Sequence, residues 1–280
     1  MKITWFGTAT IEMESQENRI MFDPFIQMPG GEHPVDKAIF AKPQNVFITH
    51  GHVDHLSSVP ELIATTDIVV YCGQVAATTL IKQGVSMKQI RSIHYGDIIP
   101  TGNINVRALK GRHVKFGPWL VFKTIINPRM ILYSQNLVQL AKMHKKYKEG
   151  DNTFVYEIKA EGLRILLLGS LALDERTEYP KDVDLLILPY QGSSSLQKKA
   201  MKIIRRIRPK TIILSHFDDA FPPISRSINT RRFQLNMKKR LPFVRVIRPE
   251  AGIPVEIVKE PEIEKNNTQD NEKKLAIEQE

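Results

Sequence analysis

The most constraining feature of the sequence is the run His50-Gly51-His52-Val53-Asp54-His55, which follows the apolar stretch Phe47-Ile48-Thr49 without a break. In an extended chain residues two apart point the same way, so His50 and His52 can grip one metal ion. Asp54 and His55 come where the chain turns and can face a second ion beside it. Gly51 leaves room for a tight loop. Imidazole and carboxylate together suit zinc, and also manganese or iron. Histidines clustered this closely without a metal would repel one another once protonated, which argues against a plain packing role.

Short apolar runs bounded by turn residues recur along the chain. Ile3–Phe6, Thr10–Glu14, Arg19–Phe22, Asn45–Thr49, Ile68–Cys72, Ile104–Leu109, Phe154–Ile158, Arg164–Leu168, Val183–Leu188 and Thr211–Ser215 read as strands. Between some of them lie helical patterns. Ser195–Arg208 sets Leu196, Ala200, Met201, Ile203, Ile204 and Ile207 on one face and lysines and arginines on the other, and Pro209 stops it. Val75–Gln83 and Ser227–Arg240 are expected helices, as is Arg129–Lys148, which lies within an insert at about 118–150 and ends on a basic run. No internal repeat is visible. The pattern predicts an α+β fold of sheet layers covered by helices.

At 42% hydrophobic and 25% charged residues over 280 positions, the chain can bury a core without staples. Its one cysteine, Cys72, excludes an internal disulfide framework and favours a reducing, cytoplasmic setting. No apolar run is long enough to span a membrane. The N-terminus reads as a strand rather than a signal peptide. Net charge is +10, and residues 197–248 hold 15 basic side chains against Asp218 and Asp219 alone. Solvated helix faces are the preferred reading of that stretch; attraction for phosphates, nucleic acid or an anionic membrane surface is the alternative. Residues 259–280 are rich in Glu, Lys, Asn and Gln and are expected to form a disordered charged tail, leaving 1–258 as the folded domain.

His-x-His-x-Asp-His after a strand, with the Trp5–Thr10 hairpin and Phe22-Asp23-Pro24, resembles the metallo-β-lactamase superfamily over nearly the whole body of the chain. More narrowly it resembles the branch that contains L-ascorbate-6-phosphate lactonase and the N-acylphosphatidylethanolamine-hydrolysing phospholipase D. The resemblance implies a four-layer αββα sandwich with two metal ions at one edge. It assigns His113 to the first ion with His50 and His52, and His216 to the second with Asp54 and His55. Asp23 becomes a buried supporting acid. The family usually places a bridging aspartate after another strand, where this chain has Gly169-Ser170. Two readings follow. Either the second site is weakened, or both trios hold metal without the bridge, which is preferred because the other six ligands are present. Asp174, four residues on, is a secondary candidate, as Ser170 itself is.

Such a site implies hydrolysis. A metal lowers the pKa of bound water to about 7, and Asp54 would orient that hydroxide as the catalytic residue. An ester-like, anionic small molecule (lactone, phosphoester or phosphodiester) is the expected substrate. A phosphodiesterase or nuclease, or a binding protein impaired by Ser170, is the alternative. Gly192, Ser193 and Ser194, before a helix, could receive a substrate anion, although plain serine capping explains them as well. Arg226 follows His216 and is placed to help. Arg205, Arg206, Arg208 and Lys210 should end on the opposite rim, away from substrate. The insert is either a lid or lipid-facing element, giving peripheral membrane contact, or an added packing helix. A homo-oligomer is expected.

Overall fold

The structure is a computed structural model and describes residues 1–64, 66–114, 129–148, 150 and 152–259. Two sheets of seven strands face each other. The first holds β1 (Lys2–Trp5), β2 (Ile11–Ser15), β3 (Asn18–Phe22), β4 (Asn45–Phe47), β5 (Val69–Cys72) and β6 (Ile90–Ser92) in sequence order. The second runs from β7 (Ile98–Thr101) through β8 (Ile104–Lys110), β9 (Phe154–Ala160), β10 (Leu163–Leu168), β11 (Leu185–Pro189) and β12 (Thr211–Ser215) to β13 (Arg245–Ile247). β14 (Pro254–Glu256) then crosses back and pairs antiparallel with β1, completing the first sheet.

Alternation along the strands explains the layers. In β3 and β4, Phe22 and Phe47 turn into the core between the sheets, where they meet Tyr156 of β9 at ring-centroid distances of 5.4 and 5.6 Å. Their neighbours Met21 and Val46 face the other way, into a second cluster with Leu56, Leu62 and Leu80 from the covering helices. With both faces buried, the central strands read as continuous apolar runs. Burial of each large apolar side chain contributes about 1.5–3 kcal/mol. Helix Leu196–Ile207 covers the second sheet with Ala200, Ile203, Ile204 and Ile207, as its pattern predicts. It ends on Arg208 in a left-handed conformation (φ 54°) just before Pro209. This is the α+β sandwich expected.

Several expectations need correction. The helix expected over Arg129–Lys148 is two, Arg129–Leu132 and Ser134–Lys146, because Tyr133 leaves helical geometry (φ −114°, ψ 34°) and packs its ring against Gly30. The second ends at Lys146, where Tyr147 turns extended and is buried. Residues 118–128 of the insert lie outside the described residues. The helix expected from Ser227 begins at Arg231. Ser227 Oγ instead donates to Glu32, and the Ile228 N–H donates to the Phe217 carbonyl at 2.6 Å. β6, β7, β13 and β14, all short, were not anticipated. Lys259, assigned to the tail, is anchored, donating to Asp184 Oδ2 at 2.9 Å. Residues 260–280 lie outside the described residues. Among the described residues no helix is long and apolar enough to cross a membrane.

Candidate metal centre

The histidine-rich run leaves the C-terminal end of β4. His52 is extended (φ −71°, ψ 163°) and precedes the single turn Val53–Leu56, which carries Asp54 and His55. The sequence predicts this placement, but not what holds it. Thr49, fully buried, donates from its hydroxyl to Asp23 Oδ2 at 2.6 Å. The same oxygen lies 3.0 Å from His50 Nδ1 and 3.1 Å from His55 Nδ1. A hydroxyl has one proton to give and two lone pairs. With its proton on Asp23, it can only accept from the two imidazoles. That places a proton on Nδ1 of both rings and makes Nε2 the nitrogen through which each would ligate. Asp23 also takes the Thr49 N–H at 2.7 Å and stands 2.7 Å from His55 Nδ1, so it supports the site from behind.

His113 and His216 arrive from the second sheet. His50, His52 and His113 form one group of donors, and Asp54, His55 and His216 a second; within each, the ligand atoms all lie within 4.8 Å of one another. His50 Nε2 is 3.1 Å from His52 Nδ1. Asp54 Oδ2 is 2.8 Å from His216 Nε2 and 3.3 Å from His55 Nε2. His50 and His55, one from each group, stack with ring centroids 3.9 Å apart.

The electrostatics differ between the groups. Burial, then the neighbouring His55, His52 and His113, hold His50 neutral, well below its ordinary pKa. Burial and then His55 bring His113 down to about 4. At His55, burial opposes charge, but Asp23 and Asp54 overcome it and push the pKa up to about 10. Burial alone would also raise Asp54, yet His55 and His216 hold it well below the carboxylate range. His50 and His113 are thus neutral imidazoles, while in the second group the ionised Asp54, with Asp23, holds a proton on His55 that a bound cation would displace. Both groups suit a divalent cation. His216 Nδ1 is buried with no hydrogen-bond partner among the described residues, a further mark of a donor set that side chains alone leave incomplete.

The loop that carries His216 is tied to the first hairpin. The His216 N–H donates to the Thr8 carbonyl at 2.7 Å, and the Thr8 N–H donates to the buried carboxylate of Asp218 at 2.9 Å. Thr8, Asp23 and His216 all adopt left-handed backbone, with φ of 51°, 46° and 55°. Each costs about 1–3 kcal/mol and is held by these surrounding bonds. Gly169 is required by close approach: a Cβ there would collide with the Thr49 side chain.

The remaining expected residues fall as follows. Ser170 is buried, and its hydroxyl accepts the Val114 N–H at 3.0 Å, beside His113. Asp174 belongs to neither group; its carboxylate accepts from Thr177 and from the Arg176 N–H and lies 3.7 Å from Lys110. Ser193 Oγ accepts the Ser195 N–H at 3.1 Å, and Gly192 and Ser194 flank that turn. Arg226 is exposed; its carbonyl accepts from Gln191, which also donates to the Asp218 carbonyl. Arg208 and Lys210 pair with Asp182 and Asp184 at the far end of the strands, as expected. Arg206 does not: it reaches back to the loop after β10 and, with Lys199 and Lys202, lines a cavity that includes His113. The basic helix face therefore meets the donor end of the molecule. Sequence reasoning missed Thr49 and Gly169. The only available signal was their position, directly before His50 and directly after β10.

The chain is 24% identical over 249 residues to a UPF0173 protein of Pyrococcus furiosus, covering 87% of this chain and 98% of the relative. It is 24% identical over 260 residues to a UPF0173 metal-dependent hydrolase of Methanocaldococcus jannaschii, covering 91% of this chain and 100% of the relative. Among solved structures it resembles Igni18, a metallo hydrolase from Ignicoccus hospitalis, with a TM-score of 0.63 at 17% identity over 92% of this chain and 99% of that one. The description "Beta-lactamase superfamily domain" matches residues 2–216, most of the chain, and the protein belongs to that family.

Proposed function

We propose that this protein is a metal-dependent hydrolase of ester-like, anionic small molecules. His50, His52 and His113 would hold one ion, and Asp54, His55 and His216 a second. The observation that carries this reading is the pair of adjacent donor groups, with one threonine hydroxyl holding Nδ1 of a histidine from each, His50 and His55. Zinc is the proposed metal from the donor set, which manganese and iron share. Bound metal supplies Lewis acidity toward the substrate oxygen and an activated water at neutral pH.

The chain's own residues do the rest. Asp54 is the one carboxylate among the six and is held ionised, so it would be the group that orients the attacking water. Thr49 and Asp23 keep the imidazoles from rotating. Ser170 serves the His113 loop and is not counted as a ligand, so the reading needs no bridging aspartate. The resemblance to the lactonase and phospholipase branch supports lactones and phosphodiesters as the first substrates to try.

Metal content per chain, measured by plasma mass spectrometry on protein purified without chelator or nickel resin, tests the proposal. About two equivalents are expected from six ligands in two trios, with chelator-sensitive turnover of bis(p-nitrophenyl) phosphate or a lactone. A chain that neither carries metal nor accepts it on reconstitution would overturn it.

A further inference from the structure

We infer that the cavity beside His113 receives an aliphatic chain ending in a single carboxylate, as part of the substrate; this rests on the hydrolase reading above. The cavity has a volume of about 280 Å³ and lies between the loop after β10 and the flank of helix Leu196–Ile207. Its floor is apolar, with Leu171 and Ile203 among the buried side chains that line it. Its rim is cationic, and the cations are not equivalent. Arg206 is structural: it donates to the carbonyls of Asp174 at 2.8 Å and Thr177 at 2.5 Å, and lies over the Tyr179 ring at 4.9 Å. Arg112 and Lys202 share one exposed acid, Glu175, at 3.8 Å each. Lys199 is half-buried, and its ammonium has no hydrogen-bond or ion-pair partner among the described residues.

An uncompensated ammonium above an apolar floor matches a ligand with both characters, an alkyl arm and a monoanion. Of the four rim cations, Lys199 is the one without a partner among the described residues, and it is offered to the ligand's carboxylate. His113 belongs both to this cavity and to the first donor trio, so an ester at the metal centre can lay its arm along the floor with the carboxylate at Lys199. The basic helix face thereby gains a role that solvation alone does not give it.

Two matched probes test this: mono-4-nitrophenyl adipate, with a free carboxylate, and methyl 4-nitrophenyl adipate, with that end neutral. Metal-loaded protein is expected to prefer the first by about tenfold in kcat/KM, the scale of one charge-assisted hydrogen bond. Lys199→Met should bring the ratio toward one, and Lys199→Arg should restore it. Lys198→Met, on the same helix outside the cavity, should keep the wild-type ratio and serves as the control for folding. Hexanoate binding by calorimetry should weaken in Lys199→Met in parallel. A ratio of one in the wild type, or the same ratio in Lys199→Met, overturns the inference while leaving the hydrolase reading intact. No turnover of either probe, of bis(p-nitrophenyl) phosphate or of a lactone, with hexanoate still bound through Lys199, retires the hydrolase reading and keeps the cavity's ligand class. Absence of both turnover and binding removes both.

Discussion

The two sheets are built on one plan and used in two ways. Each has three antiparallel pairings followed by three parallel ones, with β3 and β10 at the change in direction. The first parallel strand past that change is β4 in one sheet and β11 in the other. The loop after β4 carries His50, His52, Asp54 and His55; the loop after β11 carries Tyr190-Gln191-Gly192 and no donor of either trio. Likewise β3 leads into Asp23, which anchors Thr49, and β10 leads into Gly169-Ser170, whose hydroxyl anchors Val114. The same backbone scaffold thus supports a loop dense in metal donors and a loop that only shapes the surroundings. Strand pairing fixes where loops emerge; the residues on the loops decide what they do.

The sharpest way to break this comparison is to exchange effects between equivalent loops. Asp54→Ala or His52→Ala should lose about one equivalent of metal, since a three-ligand site rarely survives on two, and should abolish turnover. Gln191→Ala in the equivalent loop should keep both and cost only about 1 kcal/mol of stability in a urea titration, the worth of its hydrogen bonds. Thr49→Val comes next. It removes the proton held by Asp23 and the acceptor for two imidazoles, so metal affinity in chelator competition should fall about 10- to 100-fold, and Thr49→Ser should restore it.

Ser170→Ala is expected to be milder than Thr49→Val. It orphans the buried Val114 N–H, costing about 1–3 kcal/mol in urea unfolding, with metal loss confined to the trio that includes His113. Equal loss at both trios would show that the second half governs the site more than its geometry implies. The smallest effect lies at the far end of the strands. Burial opposes ionisation of Asp184, but the Arg164 N–H, Lys259 and Lys210 overcome it and lower the pKa below 3.8. Its stabilisation is therefore present above that value and is lost as pH falls through the lowered one. Asp184→Asn should cost about 1–2 kcal/mol near pH 7 and flatten the acid limb of the stability curve, with metal content unchanged.

What the sequence made legible was whatever repeats locally. The run His50–His55 stands out directly after an apolar strand, the family resemblance adds His113 and His216, and the amphipathic face of Leu196–Ile207 is a pure period effect. What it hid depends on distant partners. Nothing local marks Thr49 as the residue that serves both trios, because its partners Asp23 and Gly169 come from two other strands. The break at Tyr133 depends on Gly30, about a hundred positions earlier. The three-residue strands β6, β13 and β14 are too short to show alternation and exist only because a neighbour is there to pair with. The reach of Arg206 back to the loop after β10 was invisible for the same reason: helix direction alone sends it the other way.

The return of β14 to the first sheet has a practical consequence. The link between β6 and β7 runs past the exposed Tyr95 and Gly96 and is the natural place to cut the chain. The first fragment would then hold six of the seven strands of its sheet, while the second would hold a full sheet of its own plus the strand the first one lacks. The first half cannot finish alone, and the second would leave β14 without its partner. Such fragments should be mutually dependent, silent apart and active together, which is the behaviour required of a two-part reporter of protein proximity.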